Sequence, residues 1–163
     1  MKGKRNTIVY IAILLLVNVA AASDQKPARK SLVGTWKLNL AKSAWGNIPA
    51  PKEATLVVIK DDATGLRWTA SGVSAAGDSF SFTFEGAADG KDYPMKSPNN
   101  EAVVGFTRAY SRIDGTLHAL DKKNGLVIQT SITTVSNDGR TTTITFVRTA
   151  PGTSWTEVLD RVK

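Results

Sequence analysis

The 163-residue chain contains no cysteine, one histidine and two methionines, and aromatic residues make up only 7% of it. Without cysteine there can be no disulfide, no thiolate metal ligand and no thiol nucleophile, so the fold has to rest on its apolar core. The acids offer little chemistry of their own. Asp61-Asp62 and Asp89…Asp92 sit in turn-like stretches, and Lys91 interrupts the oxygen ligands that a calcium loop would need. Gly72 and Gly77 precede no helical pattern, so no glycine loop is set to cradle a phosphate. Beyond the first two dozen residues, no segment of ten or more carries a 3.6-residue apolar repeat.

What is present begins at the N-terminus. Lys2, Lys4 and Arg5 form a short basic stretch without an acid, and Ile8 to Val17 is an unbroken apolar run. Small residues follow through Ala20-Ala21-Ala22-Ser23. Basic start, apolar run and A-x-A site in that order predict a secretory signal peptide over residues 1–22, cut near Ala22. The apolar run is shorter than the roughly twenty residues that span a bilayer, so no stable membrane insertion is expected after cleavage. No cysteine follows it to carry a lipid. The product is expected in the periplasm or the medium.

Removal of those three basic residues lowers the net charge from +7 to +4. That charge is spread along the chain. It favours solubility and points to no nucleic-acid partner. Lys26, Arg29 and Lys30 lie in a Pro-containing stretch with no interleaved aromatics, which predicts a solvated linker over residues 23–31. Residues 32–163 are then long enough for one domain.

That domain has a period of two almost throughout. Nine strands are predicted: Leu32 to Leu40, Ala54 to Lys60, Leu66 to Val73, Ser79 to Glu85, Glu101 to Tyr110, Thr116 to Asp121, Leu126 to Val135, Thr141 to Arg148 and Trp155 to Val162. Phe80, Phe82 and Phe84 alternate with serine and threonine in the clearest of them. Asp114-Gly115, Asn124-Gly125 and Asp138-Gly139 supply the positive φ of tight hairpins. Leu40 to Trp45 is the one candidate for a helical turn, and Gly90 to Asn100, with two prolines, is expected to be the longest connection. Eight to ten short strands without crossover helices make an all-β fold, an antiparallel up-and-down barrel closed between first and last strands.

The first strand carries Gly34-Thr35-Trp36. A G-x-W in this place resembles the signature of the lipocalins and fatty-acid-binding proteins, the calycins. That resemblance implies that Gly34 permits close approach at one barrel end, that Trp36 plugs it, and that a late arginine packs over the indole. Arg148 is the first candidate for this arginine and Arg161 the second. The chain is also similar to a group of small, lipocalin-like exported bacterial proteins, through GTWKLNLAKS at Gly34 to Ser43, DGKDYP at Asp89 to Pro94, Arg112-Ile113-Asp114, and SNDGRT at Ser136 to Thr141. Only residues 41–53 separate the first two strands, too few for the paired helices that cover fatty-acid-binding barrels. Neither a long final helix nor the disulfides frequent in lipocalins are present in the pattern.

His118 alternates with Leu117 and Ala119 and is read as a barrel-wall residue. No positioned nucleophile accompanies it, and a lone haem ligand is the one cofactor role its presence leaves open. No metal and no cofactor are therefore assigned. Trp68, Phe80, Phe82, Phe84, Phe106 and Phe146 are candidates to line an apolar interior, with Tyr93 and Met95 near its mouth. The leading expectation is a barrel that binds a small hydrophobic ligand without catalysis. An envelope interaction module with a filled interior is the alternative, and a barrel enzyme relying on His118 is the weaker one. A void of several hundred Å³ would favour the first. No protein partner is indicated.

Overall fold

A computed structural model describes residues 30–162. The signal peptide and most of the linker fall outside them. Ten antiparallel strands close into a barrel in which every strand neighbours its successor and the last pairs with the first. They are β1 Gly34–Leu38, β2 Glu53–Asp62, β3 Gly65–Val73, β4 Ser79–Gly86, β5 Asp89–Lys96, β6 Ala102–Ile113, β7 Thr116–Lys123, β8 Leu126–Val135, β9 Thr141–Arg148 and β10 Ser154–Arg161. The up-and-down barrel read from the alternation is therefore the fold, with one strand more than the nine predicted.

The additional strand is β5, in the segment expected to be a connection. Its register with β6 shifts at two places, one beside Pro94, and it meets β4 at the single pair Thr83↔Lys96. A strand so irregular lacks the clean alternation that marks the others. Two of the three glycine turns are the tight hairpins anticipated: Asp114-Gly115 and Asn124-Gly125 both have positive φ at each position. The third is a five-residue connection, 136–140, closed by Ser136 Oγ on the Thr141 amide at 3.0 Å.

Leu40–Lys42 forms a single 3-10 turn, capped by Asn39. The chain then continues alongside β10 through the Ala44↔Thr156 bridge, which lengthens the short seam where the barrel closes. Among the described residues, no helix is long and apolar enough to cross a membrane.

One barrel end is closed by Trp36. Its ring is fully buried, and its indole N–H donates to the Leu32 carbonyl at 2.7 Å. The guanidinium of Arg161 lies 4.1 Å from the ring centroid and donates to the Val33 and Gly139 carbonyls, both at 2.7 Å. Arg148, the first candidate for this place, is instead at the opposite end, over Trp155 at 5.5 Å. The register explains the exchange: Trp36 pairs directly with Arg161, whereas Arg148 ends β9 on the far rim. Gly34 (φ +142°) lies beneath Arg161, where a Cβ would collide with its guanidinium. The same end holds Asp61, whose carboxyl accepts from the Leu32 amide at 2.8 Å and from Arg112.

Candidate functional site: an interior cavity

Alternation turns every second side chain of each strand inward, and ten strands enclose more space than those side chains fill. A cavity of about 390 Å³ remains inside the barrel. Leu66, Val58 and Leu117 floor it toward the plugged end, while Phe80, Val103 and Trp155 stand toward the open one. Phe82 faces the cavity, yet 43% of its surface stays accessible.

Of the eight residues predicted to line such a space, Trp68, Phe80, Phe82, Met95, Phe106 and Phe146 do so. Phe84 and Tyr93 do not. Phe84 is wholly buried among Trp68, Tyr93 and Tyr110, with ring centroids 4.9–5.9 Å away. Tyr93 packs edge-on against it and donates its hydroxyl to Asp89 at 3.1 Å, on the plugged-end side of β5. These two rings fill the wall at the sparsely paired β4–β5 seam instead of lining the space. His118 faces away from the cavity, with Nε2 2.8 Å from the Thr116 hydroxyl.

The lining also contains a polar group that aromatic counting could not find. Arg108 on β6 donates from Nε and Nη2 to both carboxyl oxygens of Asp121 on β7, the second at 2.7 Å. Gln129 on β8 adds a bond to the same carboxyl at 2.9 Å. Arg108 Nη1 donates to the Tyr110 hydroxyl at 3.2 Å, and the guanidinium lies 5.3 Å from the Trp68 ring centroid. Burial opposes the charge on Arg108, but Tyr110 and Asp121 outweigh it and hold the guanidinium protonated. Desolvation also raises the Tyr110 phenol, which stays neutral.

Glu157 on β10 also lines the chamber. Trp155 donates its indole N–H to Glu157 Oε1 at 3.0 Å and stacks on Phe146 with centroids 4.7 Å apart. Burial raises the Glu157 carboxyl above its ordinary value, opposed by the Trp155 hydrogen bond and the charge of Arg108. The signal for these residues was strand parity. Phe106, Arg108 and Tyr110 share one face, as do Leu117, Ala119 and Asp121, and Trp155, Glu157 and Leu159.

The site is thus an apolar chamber with an internally neutralised pair on one wall and a carboxyl on another. Such a chamber can enclose a small molecule and orient one polar end. Among the described residues, no group of three or more His, Asp or Glu gathers to hold a metal.

No protein-family model matches the sequence, and no curated protein matches it in sequence. The fold does have solved counterparts. It is similar to the wild-type fluorescent protein UnaG, with a TM-score of 0.57 and 15% identity over 80% of this chain and 97% of that one. A mutant form of UnaG gives a TM-score of 0.57 and 16% identity, over 81% and 96%. These neighbours are β-barrels of the calycin type, and at this identity the likeness is one of fold.

Proposed function

We propose that this chain is an exported barrel that binds a small, mainly apolar molecule in its interior and performs no catalysis on it. The cavity carries this reading. At about 390 Å³ it falls in the range of roughly 300–1,000 Å³ typical of small-molecule sites, and its lining is dominated by aliphatic and aromatic side chains. A filled core would have favoured the interaction-module alternative. His118, on which the enzyme alternative relies, points away from the chamber, with Nε2 2.8 Å from the Thr116 hydroxyl.

Export is part of the same proposal and rests on the basic, apolar and small-residue order of residues 1–22. So does kinship with the small exported lipocalin-like bacterial proteins, which rests on the GTWKLNLAKS start at Gly34 to Ser43. Native mass spectrometry of the protein recovered from its own host tests export and the carrier role. The expected species begins near Ser23 and carries a small non-covalent adduct. A chain retaining Met1 would overturn export, and an empty barrel across several growth conditions would overturn the carrier role.

A further inference from the structure

We propose that the ligand bears a cationic amine and that Glu157 is the residue that selects it. This deepens the reading of the cavity as a binding site and rests on it.

The interior charges point the same way. Arg108 and Asp121 neutralise each other on one wall, and Arg112 and Asp61 do so near the plugged end. Glu157 has no ion-pair partner of its own: Arg108 acts on it only from a distance, and among the described residues the one hydrogen bond to its carboxyl is the neutral one from Trp155, made to Oε1. Its second oxygen is left without a donor, in a chamber whose remaining surface is mainly apolar. An ammonium group beside that oxygen would restore what the carboxylate loses on leaving water.

A ligand carboxylate meets the reverse situation. The guanidinium it would seek is occupied on both edges, by Asp121 and by the Tyr110 hydroxyl. Displacing Asp121, only 1% exposed, would strand its charge. Glu157 would repel the incoming anion as well. Arg148 over Trp155 is the other nearby cation, but it sits on the solvent-exposed rim, where water and salt screen it. The Tyr110 phenol and the Asp61–Arg112 pair add no net charge to the chamber.

Isothermal titration with decylamine, decanol and decanoate at neutral pH, each kept below self-association, reads the preference directly. Decylamine is expected to bind at least about tenfold more tightly than decanol, and decanoate most weakly. Glu157→Gln should remove the amine's advantage while leaving decanol within about twofold, and Arg148→Gln should leave the order unchanged. In the native chain the same advantage should shrink as pH falls through the Glu157 carboxyl, which covers the case of a variant that folds poorly. Equal binding of all three probes, tightest binding of decanoate, or an advantage that survives both Glu157→Gln and acid would overturn the proposal and leave the cavity reading standing. Binding of none of the three would overturn both.

Discussion

Trp36 on β1 at the plugged end and Phe82 on β4 in the open half both point inward from one sheet, yet one is fully buried and the other keeps 43% of its surface accessible. The plugged end gathers an indole, a stacked guanidinium, a glycine that makes room for it and a buried carboxyl that ties down the chain before β1. The open half has its own aromatics, Phe80, Phe146 and Trp155, but they stand around a space. Its polar groups bond to one another across β6, β7 and β8, whereas at the other end Arg161 and Asp61 also hold backbone carbonyls and an amide. Equal chemistry thus serves rigidity at one end and containment at the other, because only the first is packed.

Substitution should separate the two ends most sharply at the two rings. Trp36→Ala should cost about 3–5 kcal/mol in urea unfolding, the range for large buried aromatics, whereas Phe82→Ala, which deletes a ring already facing open space, should cost much less. Equal losses would show that the chamber is packed in solution. A second contrast pairs the two arginines. Arg161→Gln removes a stacked, hydrogen-bonded guanidinium and should destabilise by about 2 kcal/mol, while Arg148→Gln should stay within about 0.5 kcal/mol.

The smallest effect concerns Glu157 and pH. Its carboxyl is raised by burial, so the folded state holds the proton more tightly than the unfolded chain. The stability this contributes is fully present below the ordinary carboxylate range and is lost as pH rises through the raised value. Glu157→Gln should therefore modestly raise the melting temperature of the ligand-free protein at neutral pH, and the gain should vanish in acid. A gain that persists in acid would place its cause elsewhere.

The barrel was legible in the sequence because alternation, hairpin glycines and the absence of helical periodicity all agree. β5 was hidden since Pro94 and two register shifts erase its period. The plug was legible as Gly34 and Trp36, but its arginine was not resolved: Arg148 and Arg161 both end late strands, and only the β1–β10 register distinguishes them. Aromatic positions located most of the chamber, whereas Phe84 and Tyr93 share its parity and differ only in how the β4–β5 seam packs around them. Arg108, Asp121 and Glu157 were missed because an isolated charge on a strand reads as solvent-facing until its neighbours two residues away show that it points inward.

An open chamber that takes an apolar guest underlies the binding role proposed for this barrel, and titration of decanol into the native chain and into Ala70→Phe measures it directly. Ala70 lines the chamber, and a phenyl ring there would occupy part of its roughly 390 Å³. The native chain should bind one decanol saturably, and Ala70→Phe, folded and of similar stability, should bind at least about tenfold more weakly. Absence of saturable binding to the native chain, or equal binding by both, would contradict an interior site.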